Sequence, residues 1–219
     1  IAIARWGRQR YGVKEIDPAT QVIPVNGSRE ALFGIAQAVI DTTRTTEPIV
    51  VCPNPFYQIY EGAAILAQAS PIYLNSLQEN GYAFDWECLA PSTWERVQLI
   101  YVCSPGNPTG HVLPLEQWKR IFELSDRYGF VVASDECYSE IYFDEASPPL
   151  GALQAAEQLG RTGYPRLVVF SSLSKRSNVP GMRSGFVAGD AAILNKFYLY
   201  RTYQGGAMSP PVQEASIAA

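Results

Sequence analysis

The chain alternates short apolar runs with longer stretches in which apolar residues recur every three to four positions. The runs are continuous and rich in branched residues, as expected for strands buried on both faces, and occupy residues 49–52, 99–103, 130–133 and 167–170. Helices are predicted over residues 31–40, 60–69 and 115–128, the last beginning after Pro114 and ending before Gly129. This order predicts an α/β fold, a three-layer sandwich with helices on both faces of a mostly parallel sheet.

Length and composition indicate one domain. The chain has 219 residues, of which 47% are hydrophobic and 17% charged, enough to bury a sizeable core, and we expect residues 1–219 to form that domain. The net charge is -4 and the 17 basic residues form no concentrated stripe, so no nucleic-acid partner is expected. No apolar stretch reaches the roughly 20 residues of a membrane span, and no secretion signal is recognisable, so we predict a cytoplasmic location and no membrane partner.

The cysteines and the single histidine argue against a metal site. Cys52, Cys88, Cys103 and Cys137 are far apart, and three of them lie in or just after predicted strands, which favours buried reduced thiols. There is no pair of cysteines separated by two residues, and His111 alone cannot complete a zinc site. We therefore predict no metal.

Lys175 is the most informative candidate for chemistry. It lies in a Ser-rich segment after a predicted strand, with Arg183 eight positions later. An amine there can form a Schiff base with an aldehyde, and the arginine suits a neighbouring phosphate, so the pair points to pyridoxal phosphate. Most single lysines are solvated surface charges, so the prediction depends on further segments.

Three segments offer groups that this cofactor requires. Gly27, Ser28 and Arg29 stand where a helix begins, and unpaired backbone donors there favour a phosphate, although an ordinary capped helix explains the same turn. Tyr57, preferred over Phe56 and Tyr60, follows a Pro-rich turn and can stack on a pyridine ring, with core packing as the alternative. Asn107, in the Pro- and Gly-rich segment 104–110, can donate to the ring's phenolic oxygen, although such turns are common.

A carboxylate for the pyridine nitrogen follows the third predicted strand. Asp135 there would keep the ring nitrogen protonated, so that the ring can accept electrons from a substrate carbanion. A solvated aspartate at a strand end is the structural alternative, and strand alternation directs Glu136 to the other side. Asn107, Asp135, Ser172 and Lys175 all follow the carboxyl ends of predicted strands, where open α/β sheets form their sites.

In this order, the segments resemble the large domain of fold-type I, class I and II aminotransferases, over nearly the whole chain. The resemblance implies that Lys175 binds pyridoxal phosphate covalently, that Asp135 pairs with the ring nitrogen and that Asn107 and Tyr138 donate to the ring oxygen. It places Tyr57 against the ring. It assigns phosphate binding to four residues, Ser28, Arg29, Ser172 and Arg183.

The resemblance also implies an activity and an assembly. Members transfer an amino group between an amino acid and a keto acid, and act as homodimers; segment 200–211 is a candidate contribution to a partner's site or an ordinary loop. Segments 53–62, 134–140 and 172–178 are most similar to succinyldiaminopimelate aminotransferases of lysine biosynthesis. Other specificities (aspartate, aromatic, alanine), a carbon-sulfur β-lyase and the sensor domain of a transcription regulator are the alternatives.

Family members are about twice as long as this chain. We expect an N-terminal segment and a C-terminal small domain, with its arginine for the substrate α-carboxylate, to be missing here. Without that arginine, substrate binding and turnover by the chain alone are expected to be poor.

Overall fold

The computed structural model describes residues 1–14 and 16–219, and its central feature is one sheet. Within those residues the sheet has seven strands in the spatial order β1-β7-β6-β5-β4-β2-β3. Every neighbouring pair is parallel except the two that involve β7. The strands are β1 Val22–Val25, β2 Ile49–Asn54, β3 Ser70–Asn75, β4 Val97–Cys103, β5 Val131–Asp135, β6 Leu167–Ser172 and β7 Gly185–Gly189. The predicted mostly parallel sheet is confirmed.

The four predicted strands are the buried ones. All positions of β4, β5 and β6 are buried, as are all but the last of β2, which explains their continuous apolar sequences. No local sequence pattern predicts β1, β3 and β7. The first two lie at the sheet edges and contain Pro24 and Pro71, while β7 begins and ends with glycine, so none shows a continuous apolar run.

Helices precede or follow most strands. They are α1 Ala2–Tyr11, α2 Ser28–Val39, α3 Ile59–Leu66, α4 Pro91–Trp94, α5 Leu115–Tyr128, α6 Ala152–Gln158, α7 Leu173–Arg176, α8 Ala191–Gln204 and α9 Pro210–Ala218. Short 3-10 helices occupy Gln78–Asn80, Trp86–Cys88 and Pro180–Met182. The predicted bounds of α5 are correct, and Gly129 after it is left-handed with φ 76°. Helix α2 starts three residues before its predicted start, and α3 ends before its predicted end.

Two apolar clusters, one on each face of the sheet, form the core. Helices α2, α3 and α8 cover one face, where Leu32, Tyr60 and Phe197 pack on the strands. Helices α1, α5 and α6 cover the other, where Trp118 is fully buried. The predicted three-layer sandwich is therefore confirmed. The cysteines are all free thiols, buried at Cys52, Cys103 and Cys137 and exposed at Cys88.

Candidate functional site

A cavity of about 440 Å³ opens where the strands β5 and β6 end. Its lining brings together nearly all of the residues selected from the sequence: Ser28, Arg29, Tyr57, Asn107, Asp135, Tyr138, Ser172, Lys175 and Arg183. Gly27, the remaining one, immediately precedes the first residue of α2. Five further residues complete the lining, namely Glu30, Tyr60, Cys137, Ser174 and Pro180. The parallel topology produces this clustering, because the carboxyl ends of parallel strands share one edge.

Lys175 lies on the single-turn helix α7, which directly follows β6. Ser172 is the last residue of that strand and precedes the helix, so the strand end delivers a hydroxyl and an amine into the same cavity. Lys175 is exposed. In the described part of the chain, no hydrogen-bond or ion-pair partner is found for its amine. That amine is therefore available to a ligand in the cavity.

Asp135, the last residue of β5, is only 4% exposed and accepts two hydrogen bonds. Tyr60 donates its hydroxyl to Oδ2 at 2.7 Å, and the backbone N–H of Cys137 donates to Oδ1 at 3.2 Å. Burial raises the pKa of Asp135 above its ordinary value, and these two donors oppose that rise. The carboxyl group is thus held in a fixed position and favoured as a hydrogen-bond acceptor.

From the sequence, Tyr60 is predicted only as an alternative stacking residue. In the structure its ring is fully buried and stacks on Tyr101, with 4.6 Å between centroids, while its hydroxyl points to Asp135. The residues lie 75 positions apart, so no local pattern indicates the contact. The signal in the sequence is that Tyr60 follows Tyr57 by three residues, and in the structure the two are joined by a turn in which the Tyr60 N–H donates to the Tyr57 backbone oxygen at 3.1 Å.

Glu136 points away from the cavity, as strand alternation predicts. Its Oε1 accepts from the backbone N–H of Ala152 at 2.7 Å and from the hydroxyl of Ser134 at 3.0 Å. Burial raises its pKa to about 7. Two adjacent carboxyl groups are therefore buried on opposite sides of the sheet.

At the start of α2, Gly27 and Arg183 pack closely. Gly27 has φ 97°, and a Cβ atom there would lie 2.1 Å from Nη2 of Arg183. That nitrogen donates to both carboxylate oxygens of Glu30, at 2.9 and 2.8 Å. Glycine therefore lets the guanidinium approach the helix N-terminus, where the macrodipole favours anions. Glu30, whose role the sequence analysis did not predict, holds Arg183 there.

Arg29 and Tyr57 contact each other at the cavity wall. The Nε atom of Arg29 donates to the Tyr57 hydroxyl, and the guanidinium carbon lies 5.6 Å from the Tyr57 ring centroid. The Tyr57 ring meets that of Tyr60 edge to face, with 6.0 Å between centroids. The structure thus pairs Arg29, predicted as a phosphate ligand, with the predicted stacking aromatic residue.

Asn107 and Tyr138 line the cavity as half-buried residues. The loop that carries Asn107 is closed by backbone hydrogen bonds, from Gly106 N to His111 O at 2.8 Å and from Gly110 N to Gly106 O at 2.7 Å. Burial raises the pKa of Tyr138, so its hydroxyl remains a proton donor at neutral pH.

This donor set fits pyridoxal phosphate. Serine hydroxyls, a guanidinium and a helix N-terminus suit its phosphate, a buried carboxylate suits its ring nitrogen, and an exposed lysine amine suits its aldehyde. By contrast, the described residues contain no group of three or more His, Cys, Asp and Glu arranged to bind a metal ion. Within the same residues, no helix combines the length and hydropathy needed to cross a membrane.

Comparison with known proteins agrees with this geometry. Residues 2–219 match the model of the family "Aminotransferase class I and II". The chain belongs to this family. A relative, the LL-diaminopimelate aminotransferase of Desulforudis audaxviator, is 31% identical over 219 residues, which are 100% of this chain and 53% of the relative.

Two solved structures are also similar to this aminotransferase-family chain. An aminotransferase from Neisseria meningitidis Z2491 has a TM-score of 0.94 and 54% identity, covering 99% of this chain and 54% of that one. The aminotransferase AspB from Helicobacter pylori 26695 has a TM-score of 0.89 and 37% identity, covering 99% and 56%. The chain thus spans about half the length of these relatives.

Proposed function

We propose that this chain is the cofactor-binding large domain of a pyridoxal-phosphate-dependent aminotransferase. One observation carries the proposal: the amine of Lys175, unpaired among the described residues, shares a cavity with the buried carboxylate of Asp135 and with the phosphate-type donors Ser28, Ser172 and Arg183. When bound, pyridoxal phosphate supplies an aldehyde carbon that reacts with amino groups and a protonated ring that accepts electrons.

Each residue of the cavity then has a separate role. Lys175 is the covalent attachment point and, as a free amine, the general base that takes the proton from the substrate Cα. Asp135, held by Tyr60 and by the N–H of Cys137, pairs with the ring nitrogen and keeps its proton in place. Asn107 and Tyr138 donate to the ring oxygen.

Binding and orientation fall to the remaining residues of the cavity. Ser28, Ser172, Arg183 and the N-terminus of α2 offer donors to the phosphate, with Arg29 at the same end of α2. Tyr57 offers its ring face for stacking. The resulting reaction has two halves, in which one amino acid leaves as a keto acid and a second keto acid leaves as an amino acid.

For the substrates, we propose N-succinyl-LL-2,6-diaminoheptanedioate and 2-oxoglutarate, giving N-succinyl-2-amino-6-oxoheptanedioate and glutamate, a step of lysine biosynthesis. The similarity of segments 53–62, 134–140 and 172–178 to succinyldiaminopimelate aminotransferases supports this substrate. The name of the D. audaxviator relative supports the diaminopimelate skeleton without the succinyl group. We also propose a cytoplasmic location, and a homodimer as the family resemblance implies.

Covalent binding is tested with Lys175→Ala. Wild-type chain mixed with pyridoxal phosphate is expected to develop an absorbance band at the edge of the visible range, and borohydride reduction should then leave the label on Lys175. Lys119→Ala, an exposed lysine on α5, is the matched control and should keep both signals. A label that survives in Lys175→Ala contradicts the proposal.

The substrate proposal is tested by product analysis with 2-oxoglutarate and either succinylated or unmodified LL-diaminoheptanedioate. Faster glutamate formation with the succinylated compound supports the proposal. The reverse preference would identify unmodified LL-diaminoheptanedioate as the substrate instead. Release of ammonia and thiol from a sulfur amino acid would indicate a β-lyase instead. Because the chain spans about half of its relatives' length, we expect slow turnover, and robust saturable activity would contradict that expectation.

A further inference from the structure

Cys137 is the buried residue that joins the two ends of the cavity. It follows Asp135 by two residues, is 9% exposed and lines the cavity. Its Sγ donates to the hydroxyl oxygen of Ser28 at 3.0 Å and lies 3.6 Å from that of Ser172. Its backbone N–H donates to Asp135. One residue thus contacts both serines of the phosphate end and the carboxylate of the ring end.

The direction of the hydrogen bond to Ser28 matters for phosphate binding. A phosphate dianion accepts hydrogen bonds, so a serine can hold it only by donating its single hydroxyl proton. In the structure the oxygen of Ser28 already accepts from the Cys137 thiol, which leaves that proton free to point into the cavity. Burial raises the pKa of the thiol well above its usual range, so it remains a protonated donor at neutral pH.

We propose that Cys137 is a positioning residue that orients the Ser28 hydroxyl toward the phosphate of the cofactor. The inference rests on the proposed function, because it assumes that Ser28 faces a phosphate group. A residue that only filled space between β5 and α2 would affect every ligand of the cavity equally. A positioning residue for the phosphate affects only ligands that carry one.

The test therefore compares pyridoxal phosphate with pyridoxal, which lacks the phosphate. In Cys137→Ala, we expect the affinity for pyridoxal phosphate to fall roughly fivefold, the size of one net hydrogen bond, with little change for pyridoxal. Cys137→Ser keeps a donor and should restore the wild-type ratio of the two affinities. Cys52→Ala, which removes a buried thiol that does not line the cavity, is the matched control and should leave the ratio unchanged.

A double-mutant cycle shows whether the effect passes through Ser28. If it does, Ser28→Ala and Cys137→Ala together should weaken pyridoxal phosphate binding little more than Ser28→Ala alone. Fully additive losses would overturn the inference. Should the alanine variant of Cys137 fail to fold, Cys137→Val fills the space without a donor and must show the same phosphate-specific loss.

The outcomes separate the inference from the proposed function. If the wild-type chain binds pyridoxal phosphate no more tightly than pyridoxal, there is no phosphate site, and both proposals fall. If the wild-type chain prefers pyridoxal phosphate but Cys137→Ala and Cys137→Val keep that preference, only the role of Cys137 is refuted. Equal losses for both ligands in these variants also refute it, since they indicate a structural role.

Discussion

Asp135 and Glu136 are neighbours in sequence with opposite environments. Asp135 faces the cavity, where Tyr60 and the Cys137 backbone donate to it, whereas Glu136 faces helix α6 on the other side of the sheet. Burial raises the pKa of both carboxyl groups. The alternation of side chains at the end of β5 therefore directs Asp135 toward the cavity and Glu136 away from it, and the donors around each carboxyl group oppose the rise in its pKa.

Tyr60→Phe is predicted to make cofactor binding more dependent on pH. Without the Tyr60 hydroxyl, Asp135 keeps the Cys137 N–H but loses its 2.7 Å donor, so its pKa should rise further and its carboxylate should form only at higher pH. We expect pyridoxal phosphate affinity to fall roughly tenfold at the acidic end of the pH range, the size of a hydrogen bond to a charged group, and to recover toward alkaline pH. Titration of the wild type and the variant with pyridoxal phosphate, from acidic to alkaline pH, measures the effect.

Tyr101→Phe is the matched control for that measurement. Tyr101 stacks on Tyr60 and is equally buried, but its hydroxyl donates to the backbone oxygen of Leu32 at 2.6 Å and not to Asp135. It should lose stability without changing the pH dependence of binding. An affinity loss in Tyr60→Phe that is the same at every pH would contradict the role assigned to Tyr60.

Helix α2 shows how one element creates an anion site. Its first residue is Ser28, which lines the cavity, so the unpaired backbone N–H groups of its first turn lie beside the cavity. Gly27, just before it, adopts a positive φ that residues with a side chain disfavour. Arg183, from the segment before β7, occupies the space that a Cβ of Gly27 would need. The N-terminus of α2 and Arg183 thus form one structural unit.

Gly27→Ala should therefore damage both stability and binding. The strained φ and the contact with Arg183 are expected to cost about 1–3 kcal/mol in the free energy of unfolding, and displacement of Arg183 should weaken pyridoxal phosphate more than pyridoxal. Gly62→Ala, inside α3 with no atom near its Cβ, should instead stabilise the fold by about 0.5–1 kcal/mol. Denaturant unfolding measures the stability of both variants. A Gly27→Ala variant as stable as the wild type would refute the predicted strain.

For the molecule as a whole, Glu136 links folding stability to pH. It is 3% exposed and packs behind the sheet, and its pKa rises from 4.5 to about 7, chiefly because of burial. A carboxyl group whose folded pKa is raised stabilises the fold below the unfolded pKa. That contribution is lost as pH increases through the folded pKa. The relevant window runs from about pH 4.5 to slightly above pH 7.

Glu136→Gln should remove this dependence, since a neutral amide can still accept from Ala152 N–H and the Ser134 hydroxyl. From pH 4 to pH 8, the unfolding free energy of the wild type should fall relative to the variant by on the order of 3 kcal/mol. Urea unfolding of both proteins across this range is the measurement. If the unfolding free energies of the two proteins change in parallel from pH 4 to pH 8, Glu136 does not titrate in this range.

Central and peripheral elements differed in how far the sequence could predict them. A local signal is present in the central strands β2, β4, β5 and β6 and in the helix α5. The strands are buried on both faces and the helix along one side, so each has a recognisable pattern of apolar residues. Edge strands and short helices such as α6 and α7 lack it, since much of their stability comes from the neighbours on which they pack.

By itself, the sequence determined the fold class and supplied the candidate residues of the site. Lys175, Asp135, Asn107 and Ser172 follow strand-like runs, and parallel strands place such residues at one edge. Only the tertiary structure decided the supporting contacts. Tyr60 reaches Asp135 across 75 positions, Cys137 reaches Ser28 across 109 and Arg183 reaches Glu30 across 153. Hydrogen bonds between residues so distant along the chain leave no local periodicity, because chain packing alone brings their partners together.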